Sequence, residues 1–122
     1  MSYMYLASPY THDDPYIIQR RFVHTREAVA LLTRQNVTVY SPIVHFHELA
    51  RHYVMPSSFD FWKQHNCNMI RHCNVLAILT LPGWEESKGV KWERDFAHYC
   101  NIPIFEWSLK DIRSGKDLLK LA

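Results

Sequence analysis

Glu93 follows Val90 by three residues and precedes Ala97 by four, so on a helix these three share one face, which Cys100 continues. That face is otherwise apolar and is expected to look inward. A carboxylate there asks for a partner. A capping box would put the acid at Val90, so Glu93 does not cap this helix. Two readings stand. In one, Glu93 sits at the rim of the core, paired with an Arg or Lys. In the other it is held near an anion site and can act as nucleophile or base. The residues before it offer such a site. Ser87 is a natural N-cap, and the amides near Gly89 and Val90 open the helix at its positive dipole end. A serine in this place also has a purely structural use as the cap.

Other side chains could join this chemistry. Asn66 lies four residues after Trp62 and three before Met69, on the apolar stripe of its helix, where an inward amide must find partners or a ligand. His45 and His47 follow a strand and could line a crevice, although solvated or hydrogen-bonded histidines are the default. His45-x-His47 and His65-x-Cys67 have ligand spacing, but no second tight pair completes a structural zinc pattern, so no metal is expected. Trp62 and Trp84 read as core or lid aromatics, with stacking on a base as the alternative. Arg20, Arg21 and Arg26 on the first helix read as solvated rather than phosphate-binding.

These residues need a scaffold, and the chain alternates strands with helices. Tyr3–Ala7 is the expected first strand, ended by Ser8-Pro9-Tyr10. Asp14 then Pro15 starts a long amphipathic helix with Ile18, Phe22, Val29 and Leu32 on one face, running to about Arg34. Asn36 is a left-handed stop, and Val37–Tyr40 is the second strand, closed by Ser41-Pro42. From Ile43 to Met55 the pattern is weak and reads as a loop with a short helix. Ser57 or Ser58 caps a helix whose stripe holds Phe59, Trp62, Met69, Ile70 and Cys73. Val75–Thr80 is a buried strand, broken by Pro82 and Gly83; a helix over about 88–100 and a strand at Pro103–Glu106 follow. Asp111–Leu121 reads as a closing helix, with Ser114-Gly115 a possible interruption.

This alternation indicates one parallel α/β domain over residues 1–122, doubly wound, with strand order 2-1-3-4. Ligands of such sheets bind outside the carboxyl ends of the strands, at the switch between strands 1 and 3. That brings Ser8–Tyr10 beside Gly83–Gly89.

Composition bounds the rest. At 122 residues, 48% hydrophobic and 21% charged, the chain has the profile of a soluble globular domain. A net charge of +2, with eight His besides, is too weak to argue for nucleic acid and is compatible with small anions. No apolar run approaches about 18 residues, so no membrane span is expected. The start lacks the basic residues and long apolar centre of a signal peptide. Three Cys without a CxxC pair read as reduced thiols, and the expected compartment is the cytoplasm.

Three motifs in order then carry a resemblance: Tyr5-Leu-Ala-Ser-Pro-Tyr10, Ser41-Pro-Ile-x-His45, and Leu81-Pro-Gly-Trp-x-x-Ser-x-Gly-Val-x-x-Glu93. Together they resemble the nucleoside 2-deoxyribosyltransferase superfamily, and within it a small branch of unknown function. The resemblance implies that Glu93 attacks C1′ of a sugar and expels the base, leaving a glycosyl ester that water or a second base resolves. It implies that Tyr5 hydrogen-bonds this glutamate; a core strand aromatic is the other use of that residue. Ser87 is similar to the serine of the 2′-deoxynucleoside 5′-phosphate N-hydrolases, where it holds the phosphate, whereas enzymes of free nucleosides tend to carry Asp there. Asn66 departs from the pattern, standing where the family has an aspartate that helps at the leaving base. Asp95, Glu85 or His45 could take that part, or the chain binds without turnover. The implied ligand is a nucleotide or nucleoside, bound by Ser8, Pro9, Tyr10, His45, Gly83, Trp84, Ser87, Gly89 and Val90 without a cofactor, in a homodimer or larger homo-oligomer.

Overall fold

Four short strands pair in parallel in the order β2-β1-β3-β4, as the alternation of elements requires. They are β1 (Met4–Ala7), β2 (Val39–Tyr40), β3 (Val75–Leu79) and β4 (Ile104–Trp107). A computed structural model gives this arrangement and describes residues 2–56 and 58–115. Strands β1 and β3 are buried at every position because helices cover both sides of the sheet. Met4, Leu6, Val75, Ala77 and Leu79 pack with Ala28, Leu32 and Ile112 on one face. Tyr5, Ala7, Leu76 and Ile78 pack with Ile70, Val90 and Ala97 on the other. The alternation along each strand thus divides the core into two layers.

The first layer is closed by α1 (Pro15–Arg34) and α5 (Leu109–Arg113), the second by α3 (Phe59–Arg71) and α4 (Lys88–Tyr99). Helix α1 starts as expected: Pro15 is its first residue, and the Asp14 carboxylate accepts from the Tyr16 amide at 2.9 Å. It stops at Asn36, whose φ is 64°, with the Val37 amide returning to the Leu32 carbonyl at 3.1 Å. That bond explains why β2 is two residues rather than the expected four. Val37 is still closing the helix.

The weak region after β2 is more ordered than its sequence suggested. Pro42–His52 form a full helix, α2, with Ser41 as N-cap accepting from the Val44 amide at 3.2 Å. Ser58 caps α3, while Ser57 lies outside the described residues. At the C-terminal side, Ser108 and Asp111 form a reciprocal capping box, so α5 begins at Leu109 and not at Asp111. It ends before Ser114 and Gly115, the latter at φ 74°; the expected continuation over 116–121 lies outside the described residues. Among the described residues, no helix is long and apolar enough to cross a membrane.

Candidate active site

Tyr5 is fully buried in β1, and its side chain leaves the sheet towards α4. Helix α4 turns Val90, Glu93 and Ala97 to the sheet, the face anticipated from their spacing. Where the two meet, the Tyr5 hydroxyl donates to Oε2 of Glu93. Glu93 is only 6% exposed, and among the described residues no Lys, Arg or His forms an ion pair with it. The reading of a rim carboxylate paired with a cation is therefore set aside. Burial pushes the Glu93 carboxyl up to about 7, and the Tyr5 hydrogen bond pulls against that rise. Tyr5 in turn is driven well above its ordinary range, first by burial and then by the neighbouring negative charge. This is a carboxylate brought near neutrality by burial and held by the Tyr5 hydroxyl.

The start of α4 stands one and a half turns away. The Ser87 hydroxyl accepts from the Val90 amide at 3.2 Å, and the Ser87 carbonyl takes the Lys91 amide at 3.1 Å. Val90 is thus engaged through its backbone and buried through its side chain, and does not present a free amide to a ligand. The Ser87 hydroxyl can accept from Val90 and still donate its own hydrogen, and the first amides of the helix, Lys88 and Gly89, have no intrahelical partner by geometry. Before the helix, Gly83 takes φ 90° and Trp84–Glu86 make one 3-10 turn, an element not anticipated from the sequence. Trp84 packs half-buried against the core layer of α3 and α4. A cleft of about 170 Å³ opens there, lined by Trp84, Glu85, Val90, Lys91 and Arg94. Glu93 does not line it, so this cleft by itself is not the place where Glu93 would meet a ligand.

The two loops expected to converge at the sheet switch do so through Arg21. Its guanidinium donates to the Thr11 carbonyl at 2.9 Å and the Tyr10 carbonyl at 3.4 Å on one side. On the other it reaches the Pro82 carbonyl at 3.2 Å. Arg21 is half-buried and bound to these carbonyls rather than simply solvated, a departure from the sequence reading; it ties the loop after β1 to the loop after β3. Ser8 and Pro9 are buried, with Ser8 Oγ 3.3 Å from the Thr25 hydroxyl, so both build the floor of the loop. Tyr10 bonds Nδ1 of His47 at 2.6 Å, and His47 lies flat on Phe22 at 3.9 Å between ring centroids. His47 is accordingly a packed core histidine, its tendency to protonate lowered by burial.

His45 is exposed and stands 5.9 Å from the Tyr40 ring. Asn66 is half-buried on α3, its Oδ1 buried without a hydrogen-bond partner among the described residues, and no hydrogen bond joins it to Glu93. The sequence reading overlooked Tyr40. It is the register partner of Tyr5 across β1 and β2, with the two rings 5.7 Å apart. Its position directly before Ser41-Pro42, at the carboxyl end of a strand, was the available signal. Among the described residues, no group of three or more His, Cys, Asp or Glu is gathered as a metal site.

The chain belongs to the family described as a domain of unknown function (DUF1937), which matches residues 2–109. No curated protein matches it.

Proposed function

We propose that this member of the DUF1937 family cleaves the N-glycosidic bond of a nucleoside 5′-monophosphate through a covalent intermediate on Glu93. The observation that carries the reading is the buried Glu93 carboxylate held by the Tyr5 hydroxyl, with no cation paired to it among the described residues. Desolvation makes a carboxylate a better nucleophile, and one donor fixes it while leaving an oxygen free. The motifs that resemble the nucleoside 2-deoxyribosyltransferase superfamily point the same way.

The reaction then runs in two steps. The free oxygen of Glu93 attacks C1′ as the C1′–N bond breaks, and the electron pair leaves with the base, which takes a proton from solvent. Water next attacks C1′ of the glycosyl ester and gives one proton back to solvent, releasing the sugar phosphate and restoring the carboxylate; a second base in place of water makes the reaction a transfer. Tyr5 donates a hydrogen bond to the carboxylate in the resting enzyme and steadies it as it is freed. The phosphate would lie at the start of α4, taken by the Ser87 hydroxyl and the Lys88 and Gly89 amides, with Lys91 near. Because Glu93 is only 6% exposed, the sugar meets it after a neighbouring side chain moves aside.

Asn66 supports a second reading, a nucleotide-binding module without turnover, because an amide cannot protonate the leaving base. One experiment separates the two: chromatography for free base after incubation with a panel of nucleosides and their 5′-monophosphates. Release from the monophosphates supports cleavage. Binding of the monophosphates without release supports the module.

A further inference from the structure

Among the described residues, four buried side-chain polar atoms have no hydrogen-bond partner in the protein: Arg21 Nε, Tyr40 Oη, His47 Nε2 and Asn66 Oδ1. Arg21 and His47 are otherwise occupied, one by three carbonyls and the other by Tyr10 and Phe22. Asn66 makes no hydrogen bond to Glu93. Tyr40 differs from all of these, because it stands beside the Tyr5–Glu93 pair.

Tyr40 and Tyr5 are direct partners on adjacent parallel strands, and register partners send their side chains to the same face of a sheet. That face is the one Glu93 approaches. The rings tilt against each other at 49°, and Tyr40 also feels the Glu93 carboxylate electrostatically. Burial is the first cause that pushes the Tyr40 hydroxyl up to about 12, with Tyr3 and Glu93 adding to it, so it remains a donor at any working pH. A donor buried without an acceptor is disfavoured and uncommon. If the ring served packing alone, phenylalanine would fill the place and bring no hydroxyl to desolvate.

The geometry points to Tyr40 as a specificity residue, its hydroxyl donating to the ligand hydroxyl on the carbon next to the one Glu93 attacks, so that ribose is favoured over 2-deoxyribose. The inference rests on the N-glycosidic reading of Glu93. The substituent at C2 is the sugar hydroxyl nearest the attacked carbon, and Tyr40 stands one strand spacing, about 4.8 Å, from the residue that holds the nucleophile. Contacts to this hydroxyl are also those that strengthen as a glycosyl transition state forms. A 2-deoxy sugar would leave the Tyr40 donor unpaired, and a site with an unpaired buried donor rejects the ligand that lacks the acceptor.

Calorimetric titration with ribose 5-phosphate and 2-deoxyribose 5-phosphate tests this without knowledge of the base. The parent protein is expected to favour ribose 5-phosphate by about three- to tenfold, the worth of one neutral hydrogen bond. Tyr40→Phe is expected to lose that preference, to keep the affinity for the deoxy sugar, and to melt at the same temperature or higher. Equal affinities in the parent, a preference for the deoxy sugar, or a ribose preference that survives Tyr40→Phe would each overturn it. So would a lower melting temperature of Tyr40→Phe, which would give the hydroxyl a structural partner. Failure of both sugars to bind the parent also overturns it. The N-glycosidic reading is then judged separately, by release of base from the monophosphates.

Discussion

The hydroxyl of Tyr5, in the middle of β1, donates to the carboxylate of Glu93, on the second turn of α4, across 88 residues of sequence. The bond joins the buried sheet to the helix that begins at Ser87. It gives this acid a hydrogen-bond partner where, among the described residues, no cation pairs with it.

Replacement of Glu93 by Gln should abolish base release and leave the fold intact. The amide oxygen can still accept from Tyr5, and the isostere fills the same space. Loss of a covalent nucleophile should lower the rate by at least about a thousandfold, since each tenfold corresponds to about 1.4 kcal/mol of barrier. Base release within about tenfold of the parent would remove Glu93 from the mechanism.

Acidity supplies an independent check. The folded carboxyl titrates at about 7 against an ordinary value of 4.5. Between those values the folded protein holds a proton that the unfolded chain has released. This contribution to stability is full below about 4.5 and is lost as pH rises through about 7, with a magnitude on the order of a few kcal/mol. Glu93→Gln should flatten that part of the profile, so the variant gains on the parent between pH 5 and pH 8. Turnover, which needs the ionised form, should rise over the same interval. Urea titrations across this range would show parallel profiles for the two proteins if Glu93 did not titrate there.

Asn66→Asp should raise the rate of base release, most for poorly leaving bases and at lower pH. Among the described residues the buried Oδ1 of Asn66 has no hydrogen-bond partner, so a carboxyl can replace the amide without breaking a bond to that atom. General-acid help is typically worth about 10²–10⁴-fold. A folded variant with no gain on any substrate would show that another group protonates the base.

Gly83→Ala should loosen the link between the loops after β1 and β3. Gly83 takes φ 90°, and a Cβ there would come within 2.4 Å of Arg21 Nη2. The left-handed backbone alone costs about 1 kcal/mol for a non-glycine residue. Arg21 must also withdraw from the Pro82 carbonyl. Thermal melting should fall by several degrees, a scale set by about 4 °C per kcal/mol for a domain of this length. An unchanged melting temperature would mean that the loop reshapes freely.

Much of this architecture was legible because it rests on local signals. Asp14-Pro15 and Ser87 mark helix starts by their own chemistry, and the apolar runs at Met4–Ala7 and Val75–Leu79 are what a parallel sheet covered on both sides demands. In the sequence, helix α2 reads only as a loop with a short helix, although Ser41-Pro42 repeats the Asp14-Pro15 signal, because polar His45 and His47 blur its apolar stripe. The inward turn of Glu93 followed from spacing, but its bond to Tyr5 depends on a contact between distant segments and entered only through resemblance. The roles of Tyr40 and Arg21 went unread for the same reason, although the place of Tyr40 before Ser41-Pro42 was a local signal. One acquires its place from strand register, and the other from backbone carbonyls that carry no side-chain signature.

Ser87 offers the sharpest choice of ligand. In the structure its hydroxyl caps α4 by accepting from Val90, so Ser87→Ala removes a cap worth about 1 kcal/mol as well as any contact to phosphate. That variant cannot separate the two roles. Ser87→Asp can, because aspartate caps a helix as well as serine does but sets a negative charge against a phosphate dianion. The parent should bind a 5′-monophosphate at least about tenfold tighter than its nucleoside, since charge-assisted bonds to the hydroxyl and the Lys88 and Gly89 amides are worth roughly 1.5–3 kcal/mol each. With Asp at position 87 the melting temperature should hold, while the preference for the monophosphate shrinks or reverses. Calorimetry on a matched nucleotide and nucleoside with both proteins measures this directly. Equal affinities in the parent would leave Ser87 as a helix cap alone and make free nucleosides the substrates to test at Glu93.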